Sequence, residues 1–265
     1  MRKSRNAKKK ADLKGYFIIA IVTLIIILTV GLYFQEKSKF VPRDISNCKE
    51  DGTVTKETAI VIDATDSLNE TQILFVNKKI KMILENALLD ERVSLYVLNN
   101  KENQYSPRLH LCNSGDGQDK SELTSNKRRL KKEWHENFYK KIIDEVNSVV
   151  DAPMADVSPV LEMIKFVSIN TMYGSAAKEK KIFLVSDMLH HTKKYSQYRT
   201  KPNIEDLDSS LYLKHSLPKL HDVDVEILYV SRPNFYKLQT RGHIAFWEKY
   251  IQKAGGNLVY VETIN

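Results

Sequence analysis

Cysteine is scarce in this sequence, and several common signatures are missing altogether. Cys48 and Cys112 are the only two cysteines among 265 residues, which leaves room for one intramolecular disulfide and no thiolate-built metal centre. No nucleophile is paired with a base in any catalytic pattern. No internal repeat occurs, and low complexity is confined to the basic N-terminal tail. The stretch GDGQD at 115–119 offers Asp116 and Asp119 between turn glycines but lacks the full calcium-loop pattern and its terminal Glu, so it reads as a turn. His190 and His191 are adjacent, diverge in direction and have no third His or Cys nearby, so a solvated loop is the expected reading.

Charge excess is also missing from most of the chain. The formal net charge is +8, and residues 2–14 carry seven basic side chains against Asp12 alone, a net of +6. The remainder is nearly balanced. The basic character is therefore a topology signal rather than a nucleic-acid footprint, and no nucleic-acid partner is expected. The KRRLKK run at 127–132 reads as the solvated face of a helix.

What is present begins with Tyr16–Phe34, nineteen uncharged residues. As a helix they cover about 28 Å, close to the hydrocarbon thickness of a bilayer. A cleaved secretory signal shares the charged head, but this apolar run is longer than a usual signal core and no small-x-small site follows it. The expectation is a single-pass inner (cell) membrane protein with its N-terminus in the cytoplasm and a periplasmic or extracellular domain. The expected organisation is a basic tail over 1–14, a transmembrane helix over 15–34, a stalk over 35–57 and an exported domain over 58–265. Both cysteines fall in the exported part, where a Cys48–Cys112 disulfide is favoured over two unpaired thiols.

From Thr58 onward, short apolar runs alternate with segments of helical period. AIVID, RVSLYVL, KIFLVSD, VDVEILYV and NLVYVE read as strands, with PRLHLC as a further candidate. Ile73, Val76, Ile80, Ile83, Leu84 and Ala87 make one helical face, and Trp134, Phe138, Ile142 and Val146 make another. Residues 151–157 read as a loop. Ser158 before Pro159 reads as an N-cap and first-turn pair for a helix through Ile169. A further helix is expected from about Ile244 to Ala254. The alternation predicts an α/β domain with a mainly parallel sheet flanked by helices, whose ligands collect at the carboxyl ends of the strands.

Two strands end on Asp. Asp63, Thr65 and Ser67 follow the first strand at two-residue spacing, Ser158 opens a later helix and Asp187 ends another strand. Two carboxylates and three hydroxyls are hard oxygen donors suited to Mg²⁺ or another hard divalent cation. Ordinary turn and cap chemistry accounts for Thr65, Ser67 and Ser158 equally well.

These residues carry a resemblance to the von Willebrand factor A (VWA) family and its metal-ion-dependent adhesion site. DATDS resembles the D-x-S-x-S motif with Thr65 in place of the middle Ser. ADVSPVLEMI resembles the second loop with Ser158 where Thr is usual, and VSDM resembles the third. FWEKYIQKAGGNLVYVE is similar to the closing helix and strand, and the likeness spans about residues 58–263. It implies a Rossmann-like fold and a non-enzymatic, membrane-held interaction module. The metal ligands would be Asp63, Thr65, Ser67, Ser158 and Asp187, with a protein partner donating an acidic side chain to the ion. The alternatives are an exported metal-dependent hydrolase using Asp63, Asp66, Asp187 and the histidine pair, and a metal-free scaffold of a membrane complex. LHLCNSGDG is a candidate disulfide-tethered loop at the rim of the site.

Overall fold

The computed structural model describes residues 2–38, 41–98, 106–122, 125–149 and 155–265, with side chains from Gly15 onward apart from residues 36 and 38. The chain divides into two compact units, residues 1–42 and 43–265.

The first unit is helix α1, Arg2–Ser38. Within it, Gly15–Gln35 has mean hydropathy 2.8 and is long and apolar enough to cross a bilayer. Its two threonines bond within the helix, Thr23 Oγ1 to the Ile19 carbonyl at 2.8 Å and Thr29 Oγ1 to the Ile26 carbonyl at 2.9 Å. Neither threonine hydroxyl therefore requires water.

The second unit is built on one six-stranded sheet. In chain order its elements are β1 (Lys56–Asp63), α2 (Glu70–Glu85), β2 (Arg92–Leu98), β3 (Leu109–Cys112), α3 (Lys127–Trp134), α4 (Lys140–Val149), α5 (Val160–Val167), β4 (Glu179–Ser186), α6 (Asp206–Ser209), α7 (Leu211–Ser216), β5 (Val223–Val230), α8 (Arg241–Lys253) and β6 (Asn257–Ile264). A π-helical turn, His135–Tyr139, joins α3 to α4, and another, Ser168–Met172, extends α5. The strand order is β3-β2-β1-β4-β5-β6. All neighbours are parallel except β2 and β3, which form an antiparallel pair.

Alternate residues of the strands feed two apolar layers, as their period of two requires. Ala59, Val61, Ile182, Leu184, Val225 and Ile227 pack with α5, α7 and α8, where Phe246, Trp247 and Tyr250 are the bulkiest members. Ile60, Ile62, Val93, Leu95, Phe183 and Val185 pack with α2 and α4. Burial of each such aliphatic side chain is worth about 1.5–3 kcal/mol. The central strands are covered on both faces, which is why they read as continuous apolar runs.

Helix α2 begins with a capping box: Gln72 N donates to Asn69 Oδ1, and Asn69 N donates to Gln72 Oε1. Val76, Ile80 and Leu84 form its buried face. No residue of helix α3 is fully buried and only its last, Trp134, packs against the second apolar layer, in keeping with the solvated face expected for KRRLKK. Helix α8 ends at Gly255, whose φ of +86° suits the left-handed position that terminates a helix.

Cys48 and Cys112 form a disulfide, 64 residues apart in sequence. Cys112 pairs with Arg92 at the amino end of β2, whereas Asp63 pairs with Leu98 at its carboxyl end. The bridge and the Gly115–Gly117 turn therefore lie at the end of the sheet away from Asp63, which corrects their expected place at the rim of the site. They form an anchor for the chain's entry: Cys112 N donates to the Ser46 carbonyl at 2.9 Å, and Arg43 and Lys49 both pair with Asp90.

Candidate cation and partner-binding site

Strand β1 carries Asp63 to the carboxyl edge of the sheet, where the chain turns sharply into α2. Asp63 Oδ1 accepts from Thr65 N at 3.1 Å and Thr65 Oγ1 at 2.6 Å. This Asx-type turn is the local chemistry expected of an Asp two residues before a hydroxyl. Asp63 Oδ2 accepts from Ser186 Oγ at 2.7 Å and, more distantly, from Ser158 Oγ at 3.4 Å. Three separate chain segments thus converge on one carboxylate.

Strand β4 supplies Ser186 and, one residue on, Asp187. The chain then turns through Met188, whose φ of +60° is uncommon for a residue with a side chain. Two bonds hold that turn: Met188 N donates to Ser186 Oγ at 2.8 Å, and the Trp247 indole donates to the Met188 carbonyl at 3.1 Å. Leu189 N donates to Asp187 Oδ1 at 2.8 Å.

Ser158 departs from its expected role. Helix α5 has Pro159 at its N-cap position with no side-chain cap, and the Ser158 hydroxyl points to Asp63 instead. The backbone explains the difference. Ser158 and His191 exchange both N–H to carbonyl bonds at 2.8 Å, which fixes Ser158 in a short antiparallel bridge. Most of the preceding loop, expected over 151–157, lies outside the described residues. Ala155 N donates to the Thr65 carbonyl at 2.8 Å and ties the end of that loop to the first motif.

Ser67 is not gathered with the others. It is exposed, and its carbonyl accepts from Arg232 Nη1 at 2.5 Å. Arg232, two residues past β5, also donates from Nη2 to the Asp66 carbonyl at 3.3 Å and from Nε to Asp187 Oδ2 at 3.4 Å. Gln239 holds this corner together. Its Nε2 donates to the carbonyls of Asp187 and Val230, and its Oε1 accepts from Arg232 N at 2.7 Å.

Asp63 and Asp187 are 6% and 4% exposed. Burial pushes the Asp63 carboxyl above the usual carboxylate range, against the hydrogen bonds from Thr65 and Ser186. Burial and then the neighbouring Asp63 push Asp187 up to about 7, with Arg232 pulling the other way. Tyr198 packs edge-on against His191 and Phe235, and burial together with Asp187, Asp66 and Asp63 raises its phenol pKa. The site is therefore a buried, electron-rich corner with an aromatic wall.

The donors are all hard oxygens, the chemistry that a divalent cation such as Mg²⁺ prefers. Asp63, Thr65, Ser158, Ser186 and Asp187 fit such an ion in type. Among the described residues, no group of three or more His, Cys, Asp or Glu side chains is placed to hold a metal. A cation here would thus rest on two carboxylates and hydroxyls.

Sequence reasoning missed Ser186, Arg232, Gln239 and Tyr198. The first was legible as the hydroxyl beside Asp187 in VSD. Arg232 was signalled only by its position just past an apolar strand. His190 corrects the solvated-loop expectation: it is fully buried, accepts from Leu161 N at 3.3 Å and bonds Tyr212 at 3.1 Å. Burial lowers its pKa to about 3, so it is a neutral core group. His191 Nδ1 and Ser196 Oγ lie 2.7 Å apart, but Ser196 is only 3% exposed. Among the described residues, His191 donates no hydrogen bond to a carboxylate.

Strand order, the single antiparallel pair and the convergence of the DATDS, DVSP and VSDM loops define an α/β domain with a divergent VWA-like fold. No protein-family model matches the sequence, and no curated protein matches it. Solved structures similar to the chain include BatB from Bacteroides thetaiotaomicron, with 11% identity over 80% of this chain and 91% of that one and a TM-score of 0.45. An aerotolerance-related membrane protein from Bacteroides fragilis matches 80% of this chain and 92% of its own, with 10% identity and a TM-score of 0.38. The ArnB paralog VWA2 from Sulfolobus acidocaldarius matches 81% and 42%, with 14% identity and a TM-score of 0.41.

Proposed function

We propose that this protein is a membrane-anchored, non-catalytic interaction module that grips a protein partner at the carboxyl ends of its strands through a divalent cation, Mg²⁺ or a similar hard ion. The observation that carries the reading is the pair of buried carboxylates, Asp63 and Asp187, drawn together with Thr65, Ser158 and Ser186 at one corner of the sheet. Two buried carboxylates repel, and a cation between them relieves both the desolvation and the repulsion. An ion held by few protein ligands keeps coordination positions for water or for a partner's carboxylate.

The anchor is the apolar span of α1, with the basic tail in the cytoplasm and residues 43–265 on the other face. Domain limits follow as a short tail and span, then the exported VWA-like unit. The test is partner capture from solubilised membranes by the full-length protein with Mg²⁺ or with chelator. Asp63→Ala and Asp187→Ala should each abolish capture while circular dichroism shows a folded domain. Capture that survives both substitutions and chelation overturns the cation-dependent reading and leaves a metal-free scaffold.

A further inference from the structure

Asp187 has two carboxylate oxygens, and both are engaged. Oδ1 takes the backbone N–H of Leu189 at 2.8 Å, a bond built into the turn after β4. Oδ2 alone faces a side chain, the Nε of Arg232 at 3.4 Å. The same guanidinium holds the carbonyls of Ser67 and Asp66. In that position the DATDS loop leaves Ser67 exposed instead of beside Asp63 and Thr65. One arginine therefore occupies the oxygen that Asp187 would offer a cation and fixes the loop that carries a further hydroxyl.

The two ends of this contact differ in strength. The Ser67 bond is short, whereas 3.4 Å is long for a charge-assisted N–H to carboxylate bond, whose usual length is about 2.8 Å. Arg232 is anchored through its backbone, by Gln239, so its side chain can leave Asp187 without unfolding the corner. Its side chain is 17% exposed, enough to meet an incoming group. Three of its five N–H bonds are used here, which leaves two for a carboxylate.

We propose that Arg232 is a guanidinium latch that sets the cation affinity of the site: its contact with Asp187 and ligation of a divalent cation by Asp187 exclude one another. This rests on the reading of Asp63 and Asp187 as cation ligands. Opening the latch frees Asp187 Oδ2 and releases the Ser67 loop together. An acidic group on the partner that draws the guanidinium outward then favours cation entry, and by linkage the cation favours the acidic partner to the same degree.

The experiment is calorimetric titration of Mn²⁺ into the full-length protein in detergent, comparing wild type, Arg232→Gln and Arg232→Lys. Thermal unfolding and circular dichroism verify each fold. Hydrogen exchange over residues 64–68 supplies a readout independent of affinity. The expected result is Mn²⁺ binding about tenfold tighter in Arg232→Gln, with faster loop exchange before Mn²⁺ and slower exchange after it. Arg232→Lys, whose single ammonium cannot bridge three acceptors, should shift in the same direction and serves if the Gln variant does not fold. Equal or weaker binding by the folded variants overturns the latch while the cation site stands. Absence of Mn²⁺ binding in every folded form overturns the cation reading and the latch with it.

Discussion

The Ser186 hydroxyl donates to Asp63 Oδ2 at 2.7 Å and accepts from Met188 N at 2.8 Å, so one small side chain ties the end of β1 to the left-handed turn that follows β4. Ser186→Ala removes both bonds in a region where Asp63 and Met188 are buried. Leaving a buried carboxylate and a buried N–H short of partners costs about 1–3 kcal/mol. Urea denaturation should therefore show a lower midpoint with an unchanged m-value. Ser67→Ala, at an exposed position whose carbonyl makes the bond to Arg232, should be near neutral in the same assay.

Stability should depend on pH in two opposed ways. Asp187 has a folded pKa raised to about 7 from an ordinary 3.8. Its contribution is complete below the unfolded pKa and is lost as pH rises toward 7, because the unfolded carboxyl ionises first. His190 and His243 have folded pKa values lowered to about 3 and about 4. Their contribution is complete above the unfolded value near 6.5 and is lost as pH falls through the acid range. In chelator, the stability difference between Asp187→Asn and wild type should grow in favour of the variant between about pH 4 and 7, at up to about 1.4 kcal/mol per pH unit, then level off. A difference that is flat with pH would mean Asp187 is ionised in the fold throughout.

The Cys48–Cys112 bridge closes a loop of sequence separation 64. In the chain-entropy model such a loop is worth about 4 kcal/mol. Paired Cys48→Ser and Cys112→Ser substitution, or reduction, should lower the stability of the 43–265 unit by a comparable amount. The measurement is denaturant unfolding with and without a reductant, which should leave the double variant unaffected.

The fate of the apolar helix is open to direct measurement. Wild type should remain with membranes after carbonate extraction and give an intact mass that retains residues 2–38, whereas deletion of those residues should release the chain. A shortened mature mass would identify the segment as a cleaved signal.

The sheet was legible in the sequence because its parallel central strands are buried on both faces, which turns each into a short apolar run such as AIVID or KIFLVS. The amphipathic face of α2 and the one through Phe138, Ile142 and Val146 were legible for a similar reason, since their buried residues recur at helical spacing. The antiparallel β3 was only faintly so, being four residues long and half-exposed. The site was partly legible. Asp63, Thr65 and Asp187 announce themselves at strand ends. The N-cap role expected of Ser158 fails, because its bridge to His191 is a long-range backbone pairing that local cap signals cannot reveal. Arg232 and Gln239 act across 45 and more residues, through contacts that exist only once β4 and β5 lie side by side.

The disulfide also determines how the molecule bears load. Tension arriving along the backbone from the N-terminal side meets Cys48 and passes through sulfur to Cys112, so the intervening chain cannot be stretched while the bridge is intact. Asp63, Thr65 and Ser67 all belong to that shielded stretch. Where the opposing pull acts beyond Cys112, the chain past that residue is loaded first and the strands β1 to β3 inside the loop are spared.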